Sequence, residues 1–425
     1  MSQVIRFEKI VPEGKAMGHL KDGRAVFCIG PLPDEGARVG IRKQRRTYAE
    51  AVLREIMEPS DHRTHEIDDH TMSTAPWQGV AYDYQLQLKR EMLQEAFKQH
   101  RVDCDGIKMV ASKEPLGYRN RLDFTLATIE GRLQLAFHRR GAWDALIPIQ
   151  GSNLGSDRMN AAALDLVRQL NDLKIEVEPA IITVRHARTT GQLLAILTTA
   201  AKADWKRIDA TKLGNFIVAR PLPGSGAPGE VVYQSGGIFI TEQLHHTAIT
   251  YPYNAFFQTN TAGFEQALDR IITAAADSQR IVELYSGVGA IGLLLAASGT
   301  IVHGVEIVPV AVEFAERNAR SNKISTYTAE AIAAEHMDAS VLNDADCVIL
   351  DPPRAGLHPR IIKWLLESRP QRLIYLACNP VTQARDIALI GEAYQLHSLT
   401  GFDFYPGTLH LESLACLSRL ERPRK

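Results

Sequence analysis

Four short stretches between residues 283 and 413 hold side chains that could do chemistry. The first is Glu283-Leu284-Tyr285-Ser286-Gly287-Val288-Gly289. Glycines at the end of a strand let a ligand approach the backbone closely. Glu306, 17 residues after Gly289, stands where a carboxylate can accept hydrogen bonds from both ribose hydroxyls of a nucleoside cofactor. NAD enzymes and S-adenosylmethionine enzymes share that arrangement, and Gly287, Gly289 and Gly292 also complete the GxGxxG dinucleotide spacing. This stretch alone leaves both cofactors open, beside a plain glycine turn with a surface Glu.

The second stretch is Asp351-Pro352-Pro353-Arg354-Ala355-Gly356, after the apolar run Cys347-Val348-Ile349-Leu350. Ligands of open parallel sheets sit at that edge. Two prolines stiffen the backbone and fix where Asp351 points, so its carboxylate can accept a bond from a base N–H. The third is Ala377-Cys378-Asn379-Pro380. A single cysteine is more often packing than nucleophile. Cys378, however, leaves an apolar strand and precedes a proline turn and a helix near Thr382 to Ile390, whose N-terminus favours thiolate. Cys28, Cys104, Cys347 and Cys416 lie in ordinary settings. The fourth is Thr408-Leu409-His410-Leu411-Glu412-Ser413, where strand alternation puts His410 and Glu412 on one face. Leu409, Leu411 and Leu414 surround Glu412 in sequence, and partial burial suits a working base. Taken alone, the stretch also reads as an edge-strand charge.

The elements that must position these residues begin near residue 251. A strand Arg280 to Tyr285 runs into the glycines and a helix Ala290 to Ser298, with Gly299 placed to end it. A strand Ile301 to Ile307, a helix Val310 to Ser321, a strand Asp346 to Leu350, a helix Pro359 to Ser368 and a strand Arg372 to Leu376 follow. This alternation predicts an α/β fold with a doubly wound, mostly parallel sheet over residues 251–425. Strands near Leu396 to Phe404 and His410 to Leu420, joined through Pro406-Gly407, predict an antiparallel hairpin at the end.

Residues 1–58 are short alternating runs cut by the turns Lys21-Asp22-Gly23-Arg24 and Leu32-Pro33-Asp34-Glu35-Gly36, as in a small barrel. Arg42-Lys43-Gln44-Arg45-Arg46 beside Tyr48 suits RNA phosphates and stacked bases, or simply a solvated strand end. Residues 59–250 read as a central α+β domain. Its polar start carries His62, His65 and His70 among carboxylates, but without cysteines or a repeated spacing no metal centre is expected. Tyr82 to His100 has an apolar stripe of Leu88, Met92, Leu93, Ala96 and Phe97, which predicts a helix that can pack on the catalytic domain. Arg119 and Arg121 share one side of a strand, and Arg139 and Arg140 end the next, with Gly131 in the turn between them. The hairpin could contact phosphates or hold surface salt bridges.

With 425 residues, 45% hydrophobic and 23% charged, the chain has room for two or three globular domains. Lys plus Arg number 48 and Asp plus Glu 49, which excludes a polycation but allows local basic faces. Apolar runs reach about ten residues, short of the roughly 20 that span a bilayer. The N-terminus has no apolar core after its charges, so no secretory signal is expected. Five cysteines with no CxxC argue against a disulfide framework, and the expected compartment is the cytoplasm.

Taken in order, ELYSGVG, GVEIVP, DPPRAG, CNP and HLE, with Phe256-Phe257-Gln258-Thr259-Asn260 ahead of them, resemble the RNA uracil-5 methyltransferases. GYRNRLDF at 117–124 and FHRRG at 137–141 are similar to that family's central domain, and the N-terminal segment to its TRAM domain, an OB-like RNA-binding barrel. The resemblance implies a class I S-adenosylmethionine methyltransferase domain that makes 5-methyluridine in RNA. Cys378 would add to uracil C6, and Glu412 would remove the C5 proton. Gln258, Tyr285, Glu306 and Asp351 match cofactor-pocket positions, with Gly287 and Gly289 in the loop and Asp351 near the target base. Base flipping is expected. Many members bind an iron–sulfur cluster through four cysteines; Glu66, Met72, Ala75 and Ser152 stand there, so no cluster is expected. The barrel tilts the substrate towards large-subunit (23S) ribosomal RNA, with transfer RNA the alternative, and a monomer without membrane contact is expected. Two competing readings are an amino-group methyltransferase and a non-enzymatic RNA-binding protein. The first would usually have an aromatic where Arg354 stands.

Overall fold

Turns and alternation at the start of the chain close a barrel. The computed structural model describes residues 2–421. Strands Ser2–Ile10, Ala16–His19, Ala25–Ile29, Gly36–Gln44 and Tyr48–Glu58 form a closed sheet in the spatial order first, second, third, fifth, fourth. Ile5, Phe7, Val26, Cys28, Val39 and Ala49 are buried in it, while Arg42, Lys43, Arg45 and Arg46 are exposed. Glu35 fastens the barrel to the segment that follows. It accepts from Leu32 N at 2.8 Å, Ser60 N at 3.0 Å and Arg63 Nε at 2.8 Å. Burial alone would push this carboxyl up, but Arg63 and the amides outweigh it and hold it below the usual carboxylate range.

The chain clusters into two units: residues 1–115, 352–367 and 375–425 in one, and 116–351 with 368–374 in the other. In the first, helix Tyr82–Gln99 packs its buried face on helix Pro380–Ile390. Strand Tyr394–Phe402 pairs antiparallel with Glu412–Arg419 and parallel with the short Lys108–Val110.

In the second unit a seven-stranded sheet carries Arg121–Ile129 and Arg132–Arg139 as a hairpin, with helix Asp157–Asp172 packed on it. Glu130 and Gly131 turn that hairpin with φ of +51° and +77°, both left-handed. Four parallel strands lie in the order Tyr327–Ala331, Ile301–Glu306, Arg280–Leu284, Cys347–Leu350. The order reverses between Arg280–Leu284 and Cys347–Leu350, and open α/β sheets take ligands at the carboxyl ends of such a pair. The glycine loop follows one of these strands and Asp351 the other. The strand Tyr327–Ala331 escaped the sequence reading because it is short and mixes Thr328 and Glu330 with alanines.

Candidate active site

In the second unit, the glycine loop is built around two carboxylates. Tyr285 leaves its strand at φ +65°, a left-handed conformation rare for a residue with a side chain. Glu306 reaches back to this loop: its Oε2 accepts from Gly287 N at 2.9 Å and its Oε1 from Val308 N at 2.9 Å. Half-buried, it fixes the loop and retains acceptor capacity on both oxygens. Gly289, at φ +81°, starts the helix Ala290–Ala296. Glu283, fully buried beneath the loop, accepts from Gly292 N at 3.0 Å. Burial pushes Glu283 up to about 8, the amide of Gly292 opposes this, and Asp351 and Glu306 add to it. A Cβ on Gly292 would lie 2.3 Å from the Glu283 carboxylate, so this position admits no side chain.

Asp351 stands beside the loop, its amide donating to Leu284 O at 3.4 Å. Gln258 Nε2 donates to its Oδ2 at 3.4 Å. The residue is half-buried, but its carboxyl is enclosed enough that desolvation pushes it up to about 7. Gln258 is positioned by packing on one side and amides on the other. Phe257 stacks on Tyr251 at 4.2 Å, and Asn120 Nδ2 donates to Gln258 O at 2.8 Å and Thr261 Oγ1 at 3.0 Å. Gln258 Oε1 is buried and has no hydrogen-bond partner among the described residues. A carboxylate and an unpartnered amide oxygen beside an open glycine loop fit a nucleoside ligand that carries positive charge and N–H donors. Asn120 was missed in the sequence; its signal was only a polar residue between Arg119 and Arg121.

In the first unit, which begins again at Tyr375 within strand Arg372–Ala377, Cys378 follows the strand and stands at the start of helix Pro380–Ile390. Asn379 caps that helix by accepting from Val381 N at 3.2 Å, and Pro380 opens it. Asn379 Nδ2 also donates to Arg354 O at 3.0 Å, and Asp386 accepts from Leu357 N at 2.7 Å and the Tyr375 hydroxyl at 2.9 Å. The loop that continues from Asp351 is thereby held against the cysteine turn. Cys378 is half-exposed, whereas Cys28 and Cys347 are buried, Cys28 with its thiol pushed up to about 12. Ser413 Oγ donates to Ala377 O at 3.3 Å and to Gln383 Oε1 at 2.6 Å. That contact brings Cys378 and Glu412 to one corner, each a single residue from the bonded pair. Glu412 is buried.

His410 departs from expectation. The strand starts only at Glu412, and His410 lies exposed in the turn before it, so the two do not share a strand face. Thr408 causes this: its amide and hydroxyl both bond Tyr405 O, and its Oγ1 accepts from His410 N at 3.2 Å, closing the turn before pairing begins.

The four arginines are spread over the hairpin and its approach. Arg121 is committed to Asp123 through a bond of 2.9 Å. Arg119 lies outside the strand, its guanidinium 5.9 Å from the Tyr118 ring centre. Arg139 and Arg140 are exposed at the hairpin end. Among the described residues no group of three or more His, Cys, Asp or Glu could hold a metal. His62 stacks on Tyr84 at 3.7 Å, His70 Nδ1 bonds Thr74 Oγ1 at 2.9 Å, and Glu66 accepts from Thr71 Oγ1 at 2.7 Å. No helix among the described residues is long and apolar enough to cross a membrane.

Residues 81–420 match the family described as tRNA (Uracil-5-)-methyltransferase. The chain belongs to that family. A tRNA (uracil(54)-C(5))-methyltransferase of Pyrococcus horikoshii is 31% identical over 357 residues, 80% of this chain and 82% of that one. An uncharacterized RNA methyltransferase of Enterococcus faecalis is 26% identical over 98% of both chains. The structure of Pyrococcus abyssi tRNA (uracil-54, C5)-methyltransferase in complex with S-adenosyl-L-homocysteine superposes with a TM-score of 0.80 at 26% identity, covering 98% of this chain and all of that one. The expected α/β methyltransferase fold with a small barrel ahead of it is therefore present, and the enzyme is an RNA uracil-5-methyltransferase.

Proposed function

We propose that this enzyme methylates C5 of a uridine in RNA through a covalent bond between Cys378 and uracil C6. The observation that carries this reading is the corner that brings a half-exposed Cys378 and a buried Glu412 within one residue of the same hydrogen bond. Uracil C5 is a poor nucleophile. Addition of the Cys378 thiolate to C6 pushes the electron pair of the C5–C6 double bond towards C5 and O4. S-adenosylmethionine supplies the methyl group that C5 then takes. Glu412 accepts the C5 proton, the C5–H pair re-forms the double bond, and the C6–S bond breaks with its pair returning to Cys378.

Gln258, Asp351, Glu306, Tyr285 and the backbone at Gly287 and Gly289 would hold S-adenosylmethionine. Asp351 answers its positive charge, Gln258 Oε1 can accept an N–H, and Glu306 can accept from ribose hydroxyls. Arg119, Arg121, Arg139 and Arg140 would contact RNA phosphates, with Arg139 exposed at the strand end and Arg121 held by Asp123. The linear plan of a barrel at 1–58, a central RNA-contacting part at 59–250 and a methyltransferase part at 251–425 belongs to the same proposal, as do a monomeric state and a cytoplasmic place of work.

Two observations favour different RNAs. The likeness to tRNA (uracil-54, C5)-methyltransferases of Pyrococcus favours transfer RNA. The closed barrel with its exposed Arg42, Lys43, Arg45 and Arg46 favours 23S ribosomal RNA. Mass spectrometry of nucleosides from both RNA classes of a deletion strain tests them together. Loss of 5-methyluridine in one class assigns the substrate; loss of a methyl group from an exocyclic nitrogen would overturn C5 chemistry.

A further inference from the structure

Lys89 is a charged residue on the apolar stripe of helix Tyr82–Gln99, and the reaction as described gives it nothing to do. It is fully buried, with Nζ 2.6 Å from Asp403 Oδ1. Its Nζ also donates to Tyr405 O at 3.0 Å. The same carbonyl takes two bonds from Thr408. Tyr405 is thus fixed at its backbone, while its ring packs edge-on against Phe404 and His410 at 6.3 and 6.1 Å. Its hydroxyl donates to Glu412 Oε1 at 3.3 Å. A buried ion pair is a poor way to stabilise an interior compared with apolar packing, so its placement matters more than its strength.

We propose that Tyr405, anchored by Lys89 and Asp403, is a positioning residue for Glu412. The hydroxyl engages Oε1 and so restrains the carboxylate that takes the proton. The bond is longer than the common O–H···O distance, and such bonds tighten when substrate is bound. Tyr405 keeps its proton throughout: the C5 proton passes to Glu412, and the C5–H electron pair re-forms the double bond as sulfur departs. This inference rests on the reading of Glu412 as the base.

The test compares wild type, Tyr405→Phe and Glu412→Gln in the full chain. Probes are transfer RNA and 23S ribosomal RNA transcripts made with ordinary or 5-deuterated uridine. In Y405F, KM and the rate of covalent adduct formation stay at the wild-type level. Breakdown of the adduct to product slows about tenfold, a fraction of what a whole acid–base group contributes. The deuterium isotope effect on kcat becomes larger than in the wild type, because proton removal now limits turnover. E412Q forms adduct and does not release it. Unchanged adduct breakdown and isotope effect in Y405F, with E412Q still trapping the adduct, would overturn the positioning role and leave Glu412 as the base. Equal losses in KM, adduct formation and breakdown in Y405F would also overturn it. Free release by E412Q would remove the base assignment itself.

Discussion

Asp351 offers a sharp pH test of the cofactor pocket. Burial pushes its carboxyl up to about 7, so about one tenth is ionised at pH 6 and about nine tenths at pH 8. A positively charged ligand that needs the carboxylate should therefore bind about tenfold more tightly at pH 8 than at pH 6. Asp351→Asn removes the charge, so its binding should be weak and flat with pH. Stability should move the other way. The folded-state value lies above the ordinary 3.8, so between about pH 4 and 7 the folded chain keeps a proton that the unfolded chain has lost. Stability contributed by this group is full below pH 4 and is lost as pH rises through 7. A shift of this size corresponds to at most about 4 kcal/mol, and partial exposure of the residue reduces that to about 2 kcal/mol. D351N should then melt higher than wild type at pH 8 and equal to it at pH 4. Glu283, at about 8, titrates higher, and D351N removes the Asp351 charge that helps to raise it, which adds to the gain expected at pH 8. Titration calorimetry with S-adenosylmethionine across pH 6–8, beside scanning calorimetry, measures both effects. Wild-type binding that is flat over this range, or D351N melting below wild type at pH 8, would refute the reasoning.

Other substitutions report on separate parts of the structure. Lys89→Met strands Asp403 in the interior and should cost about 3–5 kcal/mol in urea unfolding; a loss under about 1 kcal/mol would mean the pair is not buried in solution. Gly292→Ala places a methyl against the Glu283 carboxylate, which should destabilise by about 1–3 kcal/mol and weaken S-adenosylmethionine binding, both readable by calorimetry. Asn379→Ala removes the helix cap and the bond to Arg354 O together, so about 1 kcal/mol of stability should go, and adduct formation should slow while adduct breakdown does not.

The parts of the site legible in sequence are those whose geometry is local. A strand followed by Ser286-Gly287-Val288-Gly289, a strand followed by Asp351-Pro352-Pro353, and a strand followed by Cys378-Asn379-Pro380 each carry their own turn chemistry, and the structure has all three at strand ends. Parallel pairing was also readable, because buried runs such as Cys347–Leu350 alternate with amphipathic helices. What escaped depends on partners far apart in sequence. Lys89 follows Leu88 in a helix whose apolar stripe gives no reason to bury a charge, and only Asp403 explains its burial. Asn120 holds the Gln258 segment through bonds that no spacing rule predicts. The strand at Glu412 begins two residues later than alternation predicts, since a period of two cannot see that Thr408 closes a turn first. Glu283 showed only as part of a motif, and its burial under Gly292 emerges when strand and helix pack.

One measurement bears on sulfur chemistry most directly. Wild-type enzyme is incubated with S-adenosylmethionine and RNA containing 5-fluorouridine, whose C5 fluorine cannot leave as a proton. The protein is then digested and the RNA-bearing peptide sequenced by mass spectrometry. The nucleotide should be found on Cys378, and Cys378→Ala should give neither adduct nor 5-methyluridine on ordinary RNA. A nucleotide attached elsewhere, or undiminished methylation by C378A, would contradict the account.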